Sequence, residues 1–243
     1  MHKYIKGLKF EDIILKENDH YIIINKPPYI STLEDRNDPV DILKLAKQYH
    51  EDAQVCHRID KETSGVLVIA KHKEAYRHFS ILLERRQVKK VYHTVVDGIH
   101  EFENLEADES IHSSTSKSRI DFRNGKPSLT LMSTLEIFKL HTLLKCFPVS
   151  GRLHQIRVHA AFHNAPVCGD PEYGGKDIYL SQIKRNYSLG KWKEEKPLID
   201  RVALHAHNIA FQDFDGKEQD IIAVEAPYPK DFDVLIKQLR KYL

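Results

Sequence analysis

The order of apolar, polar and turn-forming segments in this chain predicts an α+β fold: a mixed, mainly antiparallel central sheet flanked by helices and loops. Three observations carry that expectation. Strand-like segments follow one another without the regular strand–helix alternation of a doubly wound parallel fold. Two of them, Tyr21-Ile22-Ile23-Ile24 and Val66-Leu67-Val68-Ile69-Ala70, are unbroken apolar runs of the kind that fill strands covered on both faces. Helical spacing of apolar residues appears only in separated stretches, and no internal repeat or low-complexity tract interrupts them.

The first strand is stopped by Asn25-Lys26-Pro27-Pro28, a sequence that cannot continue a ladder. Ile42, Leu45, Ala46 and Tyr49 sit at helical spacing within residues 41–49. The second apolar run directly follows the turn Thr63-Ser64-Gly65. Ala75, Tyr76, Phe79, Leu82 and Leu83 mark one face of a helix over 73–86. Residues 88–96 alternate and read as a strand; 129–138 and 140–147 read as two more, paired as a hairpin or close neighbours. Leu153 to His163 contains no breaker and reads as a helix. The polar, basic stretch 181–200 is expected to be irregular. Strands over 203–211 and 219–225 and an amphipathic helix over 231–243 complete the chain. No linker signal appears, so a single domain over 1–243 is the expected organisation.

Composition excludes several classes. At 41% apolar and 30% charged residues, 243 residues suffice for a sizeable core, and no apolar run approaches the roughly 20 residues of a membrane helix. The stretch Met1 to Lys6 is charged and lacks the apolar segment of a secretory signal. Cys56, Cys146 and Cys168 are odd in number and form no CxxC pair, so a cytoplasmic protein without a disulfide framework is expected. Net charge is only +2, but residues 101–109 hold five acids and no base, which leaves the remainder at +7. Basic clusters then stand out at Lys71-His72-Lys73, Arg85-Arg86 with Lys89-Lys90, Lys184-Arg185, and Lys191 with Lys193. Such clusters suit a phosphate-binding face, although solvated surface is their commoner use.

Four groupings have the residue types for chemistry. Asp60 lies where a loop enters a buried strand, which holds a carboxylate rigidly yet leaves it open to ligand. Arg58, two positions earlier, has the fork that grips phosphate. From spacing alone, however, capping of the Thr63 and Ser64 amides is the commoner role for Asp60. In Gly151 to His159 a helix would turn Leu153, Ile156 and Ala160 to the core and place His154, Arg157 and Ala161 on a polar stripe. Arg157 on that stripe could approach a buried carboxylate and keep it ionised, but an exposed amphipathic face is the ordinary reading. Gly169-Asp170-Pro171-Glu172-Tyr173-Gly174-Gly175 has neither Walker nor GxGxxG spacing, so a tight turn is the better reading. The 15 histidines include His205 and His207 on one strand face, yet with no HExxH pattern and no third obvious ligand, metal binding is not expected.

Taken together these segments resemble one family, the RluA-type RNA pseudouridine synthases, over residues from about 20 to 232. Asn25-Lys26-Pro27-Pro28 resembles its NKP motif. His57 to Gly65 resembles HRLDxxTSG, with Ile59 for leucine. Lys90-Val91-Tyr92 followed by Val95-Val96-Asp97-Gly98 resembles the KxY…VxG strand, and Gly125 to Thr130 resembles GKPAxT with Ser128 for alanine. Gly151 to His159 is similar to GRTHQIRVH with Leu153 for threonine, and Pro166 to Gly174 to PIxGDxxYG. Leu204-His205-Ala206 and Ala226 to Phe232 are similar to the closing LHA and APLPxDF segments. Gln212-Asp213-Phe214-Asp215 departs from the His-Pro pair that often follows LHA. With only about 20 residues before the first strand, a stand-alone catalytic domain without the family's S4 module is expected.

The resemblance implies a pseudouridine-synthase-like fold and isomerisation of specific uridines to pseudouridine in ribosomal RNA or tRNA, without cofactor or metal. It implies Asp60 as the catalytic carboxylate, Arg157 as its charge partner, and Tyr92 as the residue that stacks on the target uracil. Leu204 shapes the base pocket, and Arg58 enters the space left by the flipped nucleotide. His57, Thr63, His154 and Gln155, from the same motifs, are the remaining candidates for contact with substrate. The expected partner is an RNA stem-loop met by a monomer. The competing readings are a non-catalytic RNA-binding module on the same fold and a histidine-metal hydrolase.

Overall fold

The computed structural model describes residues 7–34, 40–190, 194–216 and 220–243. The basic pair Lys191 and Lys193 and the Met1 to Lys6 stretch lie outside them. In chain order the strands and helices are β1 (Ile14–Glu17), β2 (Tyr21–Lys26), α1 (Ile42–Tyr49), β3 (Gln54–Val55), β4 (Ser64–Ala70), α2 (Lys73–Glu84) and β5 (Lys89–Asp97). There follow β6 (Leu105–Ala107), β7 (Ile111–Ser113), β8 (Ser118–Ile120), β9 (Thr130–Ile137), β10 (His141–Pro148) and α3 (Gln155–Phe162). The last are α4 (Leu180–Ile183), β11 (Leu204–Gln212), β12 (Ile221–Glu225) and α5 (Lys230–Lys241). The class is α+β with mixed strand pairing, as expected. The pairs β1–β2, β2–β4, β3–β4, β5–β10, β9–β10, β6–β9, β7–β8 and β11–β12 are antiparallel, whereas β4 and β11 run parallel through His205↔Ser64 and Ala206↔Gly65.

The chain divides into two compact units, Met1–Val91 with His205–Tyr228, and Tyr92–Leu204 with Pro229–Leu243. No linker announces the division because each unit draws on two separate parts of the chain.

In the first unit β4 lies between β2 and β11, β1 flanks β2, β3 pairs β4 and β12 pairs β11. Both side-chain parities of β2 and β4 are buried, which explains why their sequences are unbroken apolar runs rather than alternating ones. One parity, with Tyr21, Ile23, Val66 and Val68, packs with Phe79 and Leu82 of α2 and with Ile209, Phe211, Ile222 and Val224. Phe79 and Phe211 meet edge to face at 4.8 Å. Helix α1 begins where the Asp41 carboxylate accepts from Lys44 N at 2.9 Å. Gly65 is required by close approach: its φ is +115°, and a Cβ there would collide with the carbonyl of Ala206.

In the second unit β10 pairs with both β5 and β9, and β6 lies outside β9; β7 and β8 form a separate hairpin. The hairpin expected from 129–138 and 140–147 is β9–β10. Helix α3 departs from expectation. In place of an amphipathic helix with an exposed polar stripe, Gln155, Arg157 and His159 are buried together with Ile156, Val158 and Ala160. These polar groups leave water because each finds a partner inside the protein. Gln155 Nε2 donates to Leu129 O and Thr130 Oγ1, both at 2.9 Å, and His159 bonds Thr130 Oγ1 and Glu109 O.

Segment 201–204 is fastened to α5 by a second buried arginine. Arg201 Nε and Nη2 donate to the two oxygens of Asp231 at 2.8 and 3.1 Å, and Nη1 donates to Val202 O at 3.0 Å and Leu204 O at 3.3 Å. Removing that guanidinium strands a carboxylate that is itself buried, so Arg201→Ala is expected to lower unfolding free energy by about 3–5 kcal/mol. Urea denaturation checks this, and a loss below about 1 kcal/mol would show that Asp231 finds other solvation.

Candidate active site

In the first unit, His57, Arg58, Asp60 and Thr63 stand on one connection between β3 and β4. The chain there is pinned from several sides. Thr63 N donates to Asp60 O at 3.0 Å, closing a turn. Thr32 Oγ1 donates to Ile59 O at 2.7 Å. Tyr29 N donates to Lys61 O at 2.8 Å. The Lys26 ammonium, fully buried, donates to Lys61 O, Ile30 O and Pro27 O at 3.2, 2.9 and 3.0 Å. Ile59 and Thr63 anchor in the interior while Asp60 is half-buried and Arg58 exposed. A rigid turn therefore presents one carboxylate beside one exposed guanidinium, a pairing suited to a sugar–phosphate chain.

Behind the turn, Ser64 and His205 are coupled. His205 Nε2 lies 3.1 Å from Ala226 O, which only its N–H can satisfy, so Nδ1 accepts the Ser64 hydroxyl at 2.9 Å. With both nitrogens engaged, His205 is a structural tie and not half of a metal pair with His207. His57 has a similar backing role. Its ring stacks on Phe79 and its Nε2 accepts from Val68 N at 3.2 Å, which only the neutral ring allows.

In the second unit, Tyr92 is half-buried on β5, and Leu204 is buried where Arg201 grips its carbonyl. Arg157 has the most developed surroundings. Its Nε and Nη2 donate to Asp170 at 2.6 and 2.7 Å in a bidentate fork, and Nη2 also reaches Glu172 at 3.0 Å. The guanidinium lies over the Tyr173 ring, 4.9 Å from its centroid. The Tyr173 hydroxyl lies 2.9 Å from His154 Nδ1 and accepts from Ser118 N at 3.0 Å. Asp170, Glu172 and Tyr173 all come from the glycine-dense loop, which is a tight turn: Gly169 and Gly174 have φ of +70° and +86°. Gln155 has both amide donors and its oxygen engaged, the oxygen accepting from Ser150 Oγ at 2.7 Å and Arg152 N at 3.0 Å. It braces the loop ahead of α3.

Sequence reading gave Arg157 one carboxylate, Asp60. Within its own unit Arg157 is already oriented by Asp170 and Glu172, residues visible in the sequence only as part of a turn. Lys26 and Arg201 also escaped it, although both sit in or beside the quoted motifs; a lone Lys or Arg carries no sign that it will be buried.

Residues 20–162 match the model of the family described as RNA pseudouridylate synthase. The chain belongs to the RNA pseudouridylate synthase family. It is 30% identical over 98% of its length to the ribosomal large subunit pseudouridine synthase C of Vibrio parahaemolyticus, covering 73% of that protein. It is 31% identical over 93% of its length to the synthase D of Neisseria meningitidis serogroup A, covering 61% of that protein. The solved structure of human RNA pseudouridylate synthase domain containing 4 superposes with a TM-score of 0.70 at 23% identity, over 95% of this chain and 94% of that one, so the fold is shared. The enzyme class, pseudouridine synthase, follows from the family. No helix among the described residues is long and apolar enough to cross a membrane.

Burial, reinforced by the Lys90 charge, pushes the His57 pKa down to about 3. In the unfolded chain the same ring protonates below about pH 6.5. Its contribution to stability is therefore complete above about pH 6.5 and is lost as pH falls toward 3. Unfolding free energy in urea at about pH 7 and about pH 5 is expected to differ less in His57→Gln than in the parent. Equal differences in the two proteins contradict the assignment.

Proposed function

We propose that this chain isomerises uridine to pseudouridine in ribosomal RNA, with Asp60 as the carboxylate that acts on the sugar. The observation that carries this reading is the immobilised turn at 57–63, which holds a half-buried carboxylate and an exposed arginine on a fixed support. The reaction breaks the bond from N1 to C1′ and forms one from C5 to C1′; C5 gives up a proton and N1 gains one. Asp60 serves either as nucleophile at C1′ or as the base that removes a sugar proton. Both roles need an ionised carboxylate, and Arg157 is proposed as a further catalytic group. Asp170 and Glu172 orient its guanidinium in advance, so little freedom is lost when it acts.

A uridine within a stem must leave its stack, at a cost of a few kcal/mol. We assign stacking on the uracil to Tyr92, which returns roughly 1–3 kcal/mol, and occupation of the vacated space to Arg58. The Tyr92 hydroxyl is the proposed carrier of the C5 proton. Leu204 borders the base. Thr63 and His57, and His154 and Gln155 in the other unit, are proposed to position these groups through the bonds described above. Ribosomal RNA is favoured over tRNA because the similar proteins from Vibrio and Neisseria are named as large ribosomal subunit synthases. The cytoplasm, where the three free and buried cysteines stay reduced, is the proposed location.

Asp60→Asn is expected to abolish pseudouridine formation on large-subunit ribosomal RNA while RNA binding by filter retention persists. Pseudouridine formed by that variant would remove Asp60 from the chemistry; a parent that binds RNA but never forms pseudouridine would favour the non-catalytic module. Arg157→Lys keeps the charge but loses the fork, and is expected to lower kcat about 100-fold with little change in RNA affinity. Mapping pseudouridine in total RNA with and without the gene decides between ribosomal RNA and tRNA.

A further inference from the structure

Asp97, His141 and Cys168, none of them assigned a role above, bring three different metal-ligating groups together. Their ligand atoms lie within 4.8 Å of one another. Cys168 Sγ stands 3.3 Å from Asp97 Oδ1, and His141 Nε2 stands 3.7 Å from the same oxygen. In a tetrahedral site with bonds of about 2.0–2.3 Å, neighbouring ligand atoms are about 3.5 Å apart, so both separations already match such edges. The supports are rigid. Asp97 and His141 face each other in the β5–β10 register, and Cys168 is tied to β5 and to residue 203 by Cys168 N to Val95 O and Ala203 N to Cys168 O, both 2.9 Å. The second carboxylate oxygen of Asp97 accepts from Lys176 N at 2.9 Å, which fixes its orientation as an outer-shell bond does.

An independent observation concerns His141. Its side chain is more than nine-tenths buried, and its Nδ1 has no hydrogen-bond partner. The Nε2 distance of 3.7 Å to Asp97 is too long for a hydrogen bond. With Nδ1 left to carry the ring proton, the Nε2 lone pair faces Asp97 and is available to a cation. The side chain of Asp97 is about one-fifth exposed, which leaves solvent a route to the cluster.

We propose that Asp97, His141 and Cys168 bind one divalent cation of the zinc class, with water as fourth ligand. Nitrogen, oxygen and sulfur donors together suit zinc and disfavour magnesium or calcium. Binding forms a metal–sulfur bond and releases the Cys168 proton, now shared with Asp97, to solvent. The cation ties the end of β5 to the residue two positions before Asp170, so it steadies the loop that orients Arg157. No spacing rule could announce it, since Asp97 and Cys168 are 71 positions apart.

Cobalt(II) titration of the purified full chain tests this, because only a thiolate ligand gives the intense sulfur-to-cobalt charge-transfer absorption. One equivalent is expected to produce that band. Cys168→Ser is expected to abolish it, Asp97→Asn to weaken binding at least about tenfold, and zinc to displace the cobalt and raise Tm. A parent without the band overturns the proposal, as does a band that survives in Cys168→Ser, which would point to Cys56 or Cys146. Should Cys168→Ser lose its near-ultraviolet circular dichroism, the parent titration and Asp97→Asn decide, with unchanged cobalt affinity in Asp97→Asn counting against the site.

Discussion

A guanidinium withdrawn from water has to be matched by carboxylates in fixed positions, and Arg157 places that demand on its whole neighbourhood. Asp170 must lie where both its oxygens meet Nε and Nη2, and Glu172 must close the same fork. Both acids sit on a turn that can be made that tight only with glycines at 169, 174 and 175, where Cβ atoms would strike Arg201 or Val167 or force a left-handed backbone. Tyr173 then falls over the guanidinium and carries the contact on to His154 and Ser118. One buried charge thus explains why a helix, a glycine turn and a hairpin residue are shaped as they are. An unmatched charge there would cost several kcal/mol, which makes the arrangement all-or-none.

The first unit solves a smaller version of the same problem. Lys26 is buried with three backbone carbonyls around its ammonium, drawn from 27, 30 and 61. Those carbonyls belong to the two loops that bracket Asp60, so solvating the lysine and immobilising the turn are one event. Prolines at 27 and 28 help by holding the first loop away from strand geometry. Substitution at Lys26 therefore threatens the placement of Asp60 without touching the reacting atoms.

Long, strongly patterned elements were legible in the chain itself. The apolar runs of β2 and β4, the amphipathic faces of α1, α2 and α5, and the β9–β10 pairing all reside in local spacing. The short strands were not. β1, β3, β6, β7 and β8 have two to four residues each, too few for a period to register, and β6 lies within the acidic stretch at 101–109. Helix α3 misled for the opposite reason: its pattern is amphipathic, but its polar stripe is buried because Thr130, Glu109, Asp170 and Glu172 wait on the other side.

The chain by itself determined the α+β class, the family and the motif positions of Asp60, Tyr92 and Arg157, because those rest on residue types at fixed local separations. Only the tertiary structure decided which polar residues are withdrawn from water and what meets them. It made Gln155, His159 and His205 internal ties, gave Arg157 the carboxylates of a turn, and set Asp97, His141 and Cys168 within ligating distance. Hydrogen bonds and ion pairs of that kind are fixed by distance in space, and several of the partners here stand from thirteen to well over a hundred positions apart. No local period records such separations.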